Sequence, residues 1–452
     1  MARTSASAFG LLVALAALAG CSYSVFNDLE DQAPAARVTQ ESSDISSASF
    51  GDQLVGLPRG GGNAGGLVVI TGNADPAFAT ATISGSGGVS AAHLEADDVK
   101  SELGNPDRIN AMAAVPSSLT AAGAQGPFLY LGSVSLGLGT VRVMDAVTMR
   151  HVQAYDAPVQ PQVVASFGLS LAAARLGDNG LADDIAVGAK DAVVLLRAAS
   201  GGTLSWPYMQ TDQAVVVAGG TDWPSGELSV IASGDLDPST DEDEVVAAVP
   251  EKNAVVVIHH VADCFANATE TCKTHLVIPI PSGASLFGSA LLVGDVDDDG
   301  APELVVGAPD VNRVYVYDLG AEHFDLQTPS APPAPTTITP PTGAREFGAA
   351  LAFGKVDGGS KPLLVVGAPG TAVSGAATAG RLYLFGSDLK PVGEGVELAT
   401  PEEKTLLGRR LAVVPFVPSD GGSTYELLAA SGRDSVFIFF ANLTPAHKDV
   451  RK

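Results

Sequence analysis

One landmark recurs along this chain with a period near 60 residues, and that repetition limits the fold more than any other feature. A short apolar run ends in Gly-Ala-Pro, or a relative of it, at Val55-Gly-Leu-Pro58, Leu131-Gly-Ser-Val134, Val187-Gly-Ala-Lys190, Ala247-Ala-Val-Pro250, Val306-Gly-Ala-Pro309, Val366-Gly-Ala-Pro369 and Ala429-Ala-Ser-Gly432. The successive intervals are 76, 56, 60, 59, 60 and 63 residues. A second register runs through Phe167-Gly168, Phe287-Gly288, Phe347-Gly348 and Leu407-Gly408, spaced 120, 60 and 60, with its missing member at Glu227-Leu228. Within the fifth period the pattern predicts strands over Phe287–Gly294, Glu303–Ala308 and Arg313–Asp318, a polar loop over Asp295–Pro302, and a fourth strand before a Pro-rich connector. The sixth repeats this with Phe347–Gly354, Leu363–Ala368, Arg381–Phe385 and Val392–Leu398. Four strands per period make one blade of a β-propeller, and seven periods close a ring. The expected fold class is therefore all-β, a seven-bladed β-propeller of four-stranded blades. A continuous solenoid is the rival arrangement, but it needs capping repeats, and four strands per unit is blade anatomy. The recurring glycines would let strands approach closely near the crowded axis.

Phe-Gly, an Asp-rich turn and then Val-Val-Gly-Ala-Pro, seen over residues 287–309, resembles the FG-GAP repeat of integrin α-type propellers. The resemblance covers about residues 36–440 and is closest in periods five and six. It implies a ring closed by pairing the two chain ends, with Arg37–Gln40 and Val436–Phe440 as the candidates. It also implies that partners bind the face opposite the calcium loops. Candidate segments there are Asp310–Asn312, with Asp310 and Asn312 as binding residues, Gly370–Ala379, and the connector Pro329–Arg345. Trp223, beside Pro224, is the candidate anchor because aromatic side chains dominate binding energy; packing in the core is its other reading.

The sharpest motif is Asp295-Val-Asp297-Asp-Asp299-Gly300-Ala-Pro-Glu303. Carboxylates at positions 1, 3, 5 and 9, with Gly at 6 for the sharp turn, can wrap one hard cation in oxygen. Asp295, Asp297, Asp299, Glu303 and the carbonyl of Ala301 are the expected Ca²⁺ ligands, with a solvated acidic turn as the alternative. It resembles the family's calcium loop, with Glu303 where Asp is usual. Period four offers a looser set, Asp235, Asp237, Ser239, Asp241 and Asp243, which lacks the glycine and is one residue too long. Period three, with Asp178 to Asp184, is too short for the pattern. In period six Lys355 takes the first ligand position, so that loop is read as a metal-free turn.

The N-terminus carries an address. Arg3, an apolar stretch from Ala8 to Ala19 and then Leu18-Ala19-Gly20-Cys21 resemble a bacterial lipoprotein signal and its lipobox. In that family the chain is cut before the cysteine, so residues 1–20 are the expected signal peptide and Cys21 the lipidated residue. Residues 21–35 form a tether, 36–440 the propeller and 441–452 a C-terminal tail. Several acyl chains give stable anchoring where one would be marginal. The expected location is the bacterial cell envelope, and Ser22 in place of an inner-membrane retention Asp tilts it to the outer membrane. Cys264 and Cys272 flank a polar segment between two strand-like runs. A disulfide is the favoured reading in an oxidising compartment; a zinc pair is the weaker one.

The chain has 452 residues with 25 basic and 50 acidic side chains, net −25. This excludes nucleic acid and charge-driven docking on anionic lipid. No Gly-x-Ser-x-Gly elbow or phosphate loop occurs. The glycine-rich run Arg59 to Gly66 joins two strands, and the seven histidines lack metal-pair spacing. The sequence therefore points to a non-enzymatic, membrane-anchored binding, adhesion or scaffold protein, partnered by a protein or a surface polysaccharide. The rivals are a hydrolase with carboxylates near the propeller axis and a purely structural spacer.

Overall fold

The computed structural model describes residues 35–39, 50–58, 65–71, 78–86, 88–94, 109–115, 127–135, 137–146, 148–158, 163–176, 184–197, 214–218, 222–266, 275–320, 323, 331–357, 359–419 and 424–440. Cys21, Cys272 and the segments proposed as signal and tail lie outside them. Within them, seven antiparallel sheets follow one another along the chain, six with four strands and one with three. In blade 5, Ala290–Gly294, Glu303–Ala308, Arg313–Tyr317 and Thr336–Ile338 pair in that order, with Ala290 opposite Gly307 and Gly294 opposite Glu303. The first strand of each blade is a sheet edge: Gln53–Pro58, Ala111–Val115, Ser170–Ala174, Val230–Gly234, Ala290–Gly294, Ala350–Gly354 and Leu411–Phe416.

The second strands are short Val/Leu/Ala runs buried along their whole length in blades 3 to 6. Such runs bury both sheet faces because each blade is covered by a neighbour on either side. The core is accordingly partitioned by interface. Among the described residues seven hydrophobic clusters form, one at each junction between successive blades, and one joins blade 7 to blade 1. The ring is closed by Ala35–Thr39, which supplies the outer strand of blade 7 and pairs with Ser435–Phe439, Arg37 opposite Phe437. The guanidinium of Arg37 lies 5.7 Å from the Phe437 ring centroid and its Nε donates to Ser435 Oγ.

The two sequence landmarks meet across the blade junctions. A Cβ placed on Gly307 of blade 5 would lie 2.1 Å from the carbonyl oxygen of Gly348 in blade 6. The same contact recurs between Gly132 and Gly168 at 2.0 Å and between Gly367 and Gly408 at 2.2 Å. One landmark's glycine thus admits the backbone of the next blade's other landmark. Gly168, Gly288, Gly348 and Gly408 have φ of 91–93°, a turn conformation that a side chain resists.

The structure corrects four expectations. The first strands of periods five and six begin at Ala290 and Ala350, three residues after the phenylalanines, because Leu286, Gly288, Glu346 and Gly348 all take positive φ. Phe287 and Phe347 are instead buried, edge-on to Tyr315 and Tyr383 at 5.8 Å. In period one, Val55–Pro58 belongs to the inner strand, and the turn is Phe50-Gly51, with Phe50 fully buried and Gly51 at φ 84°. In blade 6 the expected strand over Val392–Leu398 is reduced to two isolated bridges, Leu382 with Val396 and Phe385 with Pro391, because Gly393 and Gly395 interrupt it at φ 70° and 102°. The polar segment after Ile258 opens with a short helix, Val261–Ala266, whose Phe265 is buried under Arg197.

Candidate cation loop and binding face

Loops that follow the inner strands emerge at one end of the ring; turns that follow the second strands and the connectors between blades emerge at the other. The blade 5 loop lies at the first end. Its carboxylates shape it from within: Asp295 accepts the N–H groups of Asp299 and Gly300 at 3.1 Å each, and Asp299 accepts that of Ala301 at 2.9 Å. Gly300, at φ 98°, makes the turn foreseen for it. One carboxylate oxygen from each of Asp295, Asp297, Asp299 and Glu303 then falls within 4.8 Å of the others.

Glu303 differs from its three companions because it is buried, at 1% exposure, on the first position of the second strand. Its Oε2 accepts the N–H of Val296 at 2.7 Å, while its Oε1 is buried with no hydrogen-bond partner. Burial above all, and then the neighbouring Asp297, Asp299 and Asp295, push its carboxyl up to about 7. Burial, then Asp299, also raises Asp297. A bare buried acceptor facing a ring of carboxylates lacks a positive partner. An all-oxygen donor set of this kind suits a hard divalent cation, so the residues fit one.

Equivalent loops in other blades are built differently. In blade 4, Arg175 reaches over from blade 3: its Nη2 lies 2.8 Å from Asp243 and 3.5 Å from Asp235, and its Nε donates to Asp243 at 2.9 Å. Asp237 accepts the Ser239 N–H and hydroxyl, and buried Glu244 accepts the N–H groups of Leu236 and Asp237. Burial drives Glu244 up to about 8. Asp241 forms no converging group with these, and the blade 5 set stands alone as a converging acidic group among the described residues. In blade 6 the N–H of Lys355 donates to Glu426 of blade 7 at 2.5 Å, and Gly359 closes its turn on Asp357. Blade 3 repeats the Glu303 contact with Asp184, which accepts the Leu176 N–H at 2.7 Å.

At the opposite end, the segments singled out in the sequence converge. Asp310, Asn312, Arg345, Glu346, Gly370 and Thr378 line one cavity of about 590 Å³ between blades 5 and 6. Asp310 is exposed and accepts the Ser285 hydroxyl at 2.9 Å. Asn312 has a role that sequence reasoning missed. It sits at φ 53° and its carboxamide oxygen accepts the Phe347 N–H of the next blade at 3.1 Å. Asn253 does the same for Phe287, and Asp191 for Gly226. A residue tolerant of left-handed backbone at that offset is the signal that marks these latches. Trp223 is half-buried at the junction of blades 3 and 4, its Nε1 donating to the Asp191 carbonyl and its ring edge-on to His275 at 5.2 Å. Cys264 is buried and disulfide-bonded; its proposed partner, Cys272, is outside the described residues.

Residues 287–321, which hold this loop and the turn that follows, match the FG-GAP repeat family model. The chain is 39% identical over 102 residues to integrin alpha-PS5 of Drosophila melanogaster. That alignment covers 22% of this chain and 10% of the relative, so the chain spans about a tenth of the length of the curated protein it matches. The molecule is thus a seven-bladed β-propeller carrying an FG-GAP repeat, similar over part of its length to integrin α. No helix among the described residues is long and apolar enough to cross a membrane.

Proposed function

We propose that this chain is a non-enzymatic binding propeller, lipid-anchored through Cys21 in a bacterial cell envelope, that holds Ca²⁺ on one face and a protein partner on the other. The observation that carries the reading is the convergence of two turns and two connectors on the cavity at the junction of blades 5 and 6. Asp310 is exposed there and Arg345 and Glu346 offer both signs of charge, the polar variety of a protein-recognition rim. The similarity to an integrin α-subunit supports the same class of function by fold analogy. The axial cavity gives the hydrolase reading no support. Two carboxylates about 5–10 Å apart would be needed, and none lines that cavity among the described residues.

The partner face is tested by capture from membranes with wild type and an Asp310→Ala/Arg345→Ala/Thr378→Ala variant, followed by rebinding of each captured protein in purified form. A partner lost from the variant supports the face. Unchanged capture rules it out, and capture of polysaccharide alone replaces the protein partner. Anchoring is tested separately: Cys21→Ala should move the chain from the detergent phase to the aqueous phase. Retention on salt-washed membranes would show that Cys21 is not the anchor.

The Asp295–Glu303 loop performs no chemistry in this reading. Asp295, Asp297, Asp299 and Glu303, with the Ala301 carbonyl, would ligate Ca²⁺, which supplies positive charge to an acidic turn. The protein's own part is positional: Gly300 makes the turn, and the buried second strand fixes Glu303 beneath it.

A further inference from the structure

The ring has a cavity on its axis, and its composition is unlike the rest of the molecule. It measures about 200 Å³ and lies at the end where the inner strands begin. The first residue of every inner strand lines it: Gln53, Ala111, Ser170, Val230, Ala290, Ala350 and Leu411. Its polar lining is Gln53, Asn110, Ser170, Ser229, Ser289 and one charged side chain, Arg410. In a chain of net charge −25, the one ion on the axis is therefore a cation.

Arg410 is held but not used up. Its Nε donates to the Asp52 carbonyl at 3.0 Å and its Nη1 to the Arg409 carbonyl at 3.4 Å. Its Nη2 has no partner among the described residues. The nearby Asp52 carboxylate is taken by Arg409, so the group of two guanidiniums and one carboxylate keeps one net positive charge. Arg410 is exposed at the cavity, and the protein crowded around it lowers its pKa, against the pull of Asp52.

We infer that the axial cavity is a binding site for a single carboxylate group, gripped by the free edge of the Arg410 guanidinium and oriented by Asn110 and Ser229. A planar carboxylate matches a planar guanidinium fork. One negative charge also balances the one positive charge, whereas sulfate or phosphate would leave surplus negative charge in a chain that is already acidic. The acidic surface of the chain repels polyanions, which leaves a small carboxylate or one acidic side chain of a docked protein as the ligand. The site stands apart from the cavity between blades 5 and 6, because Arg410 belongs to blade 7 and does not line it.

The test is calorimetric titration of the complete chain in nonionic detergent and low-chloride buffer, with acetate, a capped peptide bearing one Glu, and sulfate. Wild type is expected to bind acetate and the peptide, and Arg410→Gln to bind them about tenfold more weakly or worse, the loss of a charge-assisted hydrogen bond. Tighter peptide than acetate assigns the site to a protein side chain; the reverse assigns it to a free carboxylate. Circular dichroism checks the fold. If Arg410→Gln does not fold, Arg410→Lys keeps the charge but not the fork, and should weaken carboxylate binding several-fold. Absent binding, unchanged affinity in the folded variant, or sulfate binding as tightly as acetate overturns the assignment.

Discussion

Removing Ca²⁺ from the blade 5 loop should cost the whole ring stability, and the size of that cost can be worked out. Without a cation, four carboxylate oxygens stay within 4.8 Å of one another and Glu303 Oε1 stays buried and bare. With Ca²⁺ at a hundredfold excess over its dissociation constant, mass action adds about 2.7 kcal/mol. Blades sealed by a continuous ring of junction clusters should unfold together. At ~2.1 cal/mol/K per residue, a propeller of ~400 residues has an unfolding entropy near ~0.85 kcal/mol/K. The expected rise in melting temperature is therefore about 3 °C. The assay is thermal unfolding in chelator and then in Ca²⁺, beside an Asp297→Ala/Asp299→Ala variant. In chelator the variant should melt within about 1 °C of wild type, since it loses local turn hydrogen bonds but also two repelling charges. In Ca²⁺ it should not rise. Mg²⁺ should substitute poorly, because it demands a tighter octahedral shell and releases water reluctantly. No Ca²⁺-dependent rise in wild type, or an equal rise in the variant, would refute the reasoning.

Three further perturbations probe the frame. Gly307→Ala puts a methyl group 2.1 Å from the Gly348 carbonyl oxygen, a backbone atom with little room to yield, and should destabilise by about 3 kcal/mol; Gly386→Ala, whose nearest neighbour is 3.6 Å away, is the control and should change the melting temperature little. Arg175→Met strands Asp235 and Asp243 and should cost roughly 1–3 kcal/mol, less than a fully buried pair because Arg175 and Asp235 are each 32% exposed; a double-mutant cycle with Asp243→Asn measures the coupling, and zero coupling would sink the idea. His259 is held down to about 4 by burial first and then by His260 and His275. The unfolded chain therefore takes up its proton near 6.5, before the folded protein does. Stability from this group is complete above that pH and is lost as pH falls toward 4, by up to about 3 kcal/mol. His259→Phe should flatten the melting-temperature profile across that window, and an unchanged slope would count against it.

Much of the ring was legible because the repeat is enforced by backbone contact. Gly132, Gly307 and Gly367 each meet a glycine carbonyl of the next blade, so the spacing between landmarks survives where side chains vary. The reading slipped where a hydrophobic substitute stands in for a landmark. Ile109, buried two residues before the first strand of blade 2, packs at the junction of blades 1 and 2 as Phe167, three residues before its strand, packs at that of blades 2 and 3, and nothing local marks it. The interval of 76 residues after Val55 is the visible trace of a first landmark one strand early, since Val55 lies on the inner strand that follows the Phe50-Gly51 turn. Likewise the strand expected at Val392–Leu398 has the right apolar alternation, but two glycines at positive φ keep it from pairing regularly.

The converging carboxylates of blade 5 were legible for a different reason: all four fall within nine consecutive residues, so spacing alone brings them together. The second set, in blade 4, has comparable carboxylates, yet its positive partner is Arg175, 60 residues from Asp235 and 68 from Asp243 in sequence. Loop spacing carries no trace of a residue from the neighbouring blade. The described loops of blades 4 and 5 share one problem, a buried or half-buried acid beside a tight turn. Blade 4 answers it with a guanidinium tethered to blade 3. Blade 6 removes the acids and takes its acceptor, Glu426, from blade 7. Blade 5 supplies four carboxylates and no cation of its own within the cluster, since the reaching Lys361 pairs with exposed Asp298 and not with the ligand set. Among the described residues, blade 5 alone gathers four carboxylates with no cation in the cluster, and an ion from solution would have a structural task there.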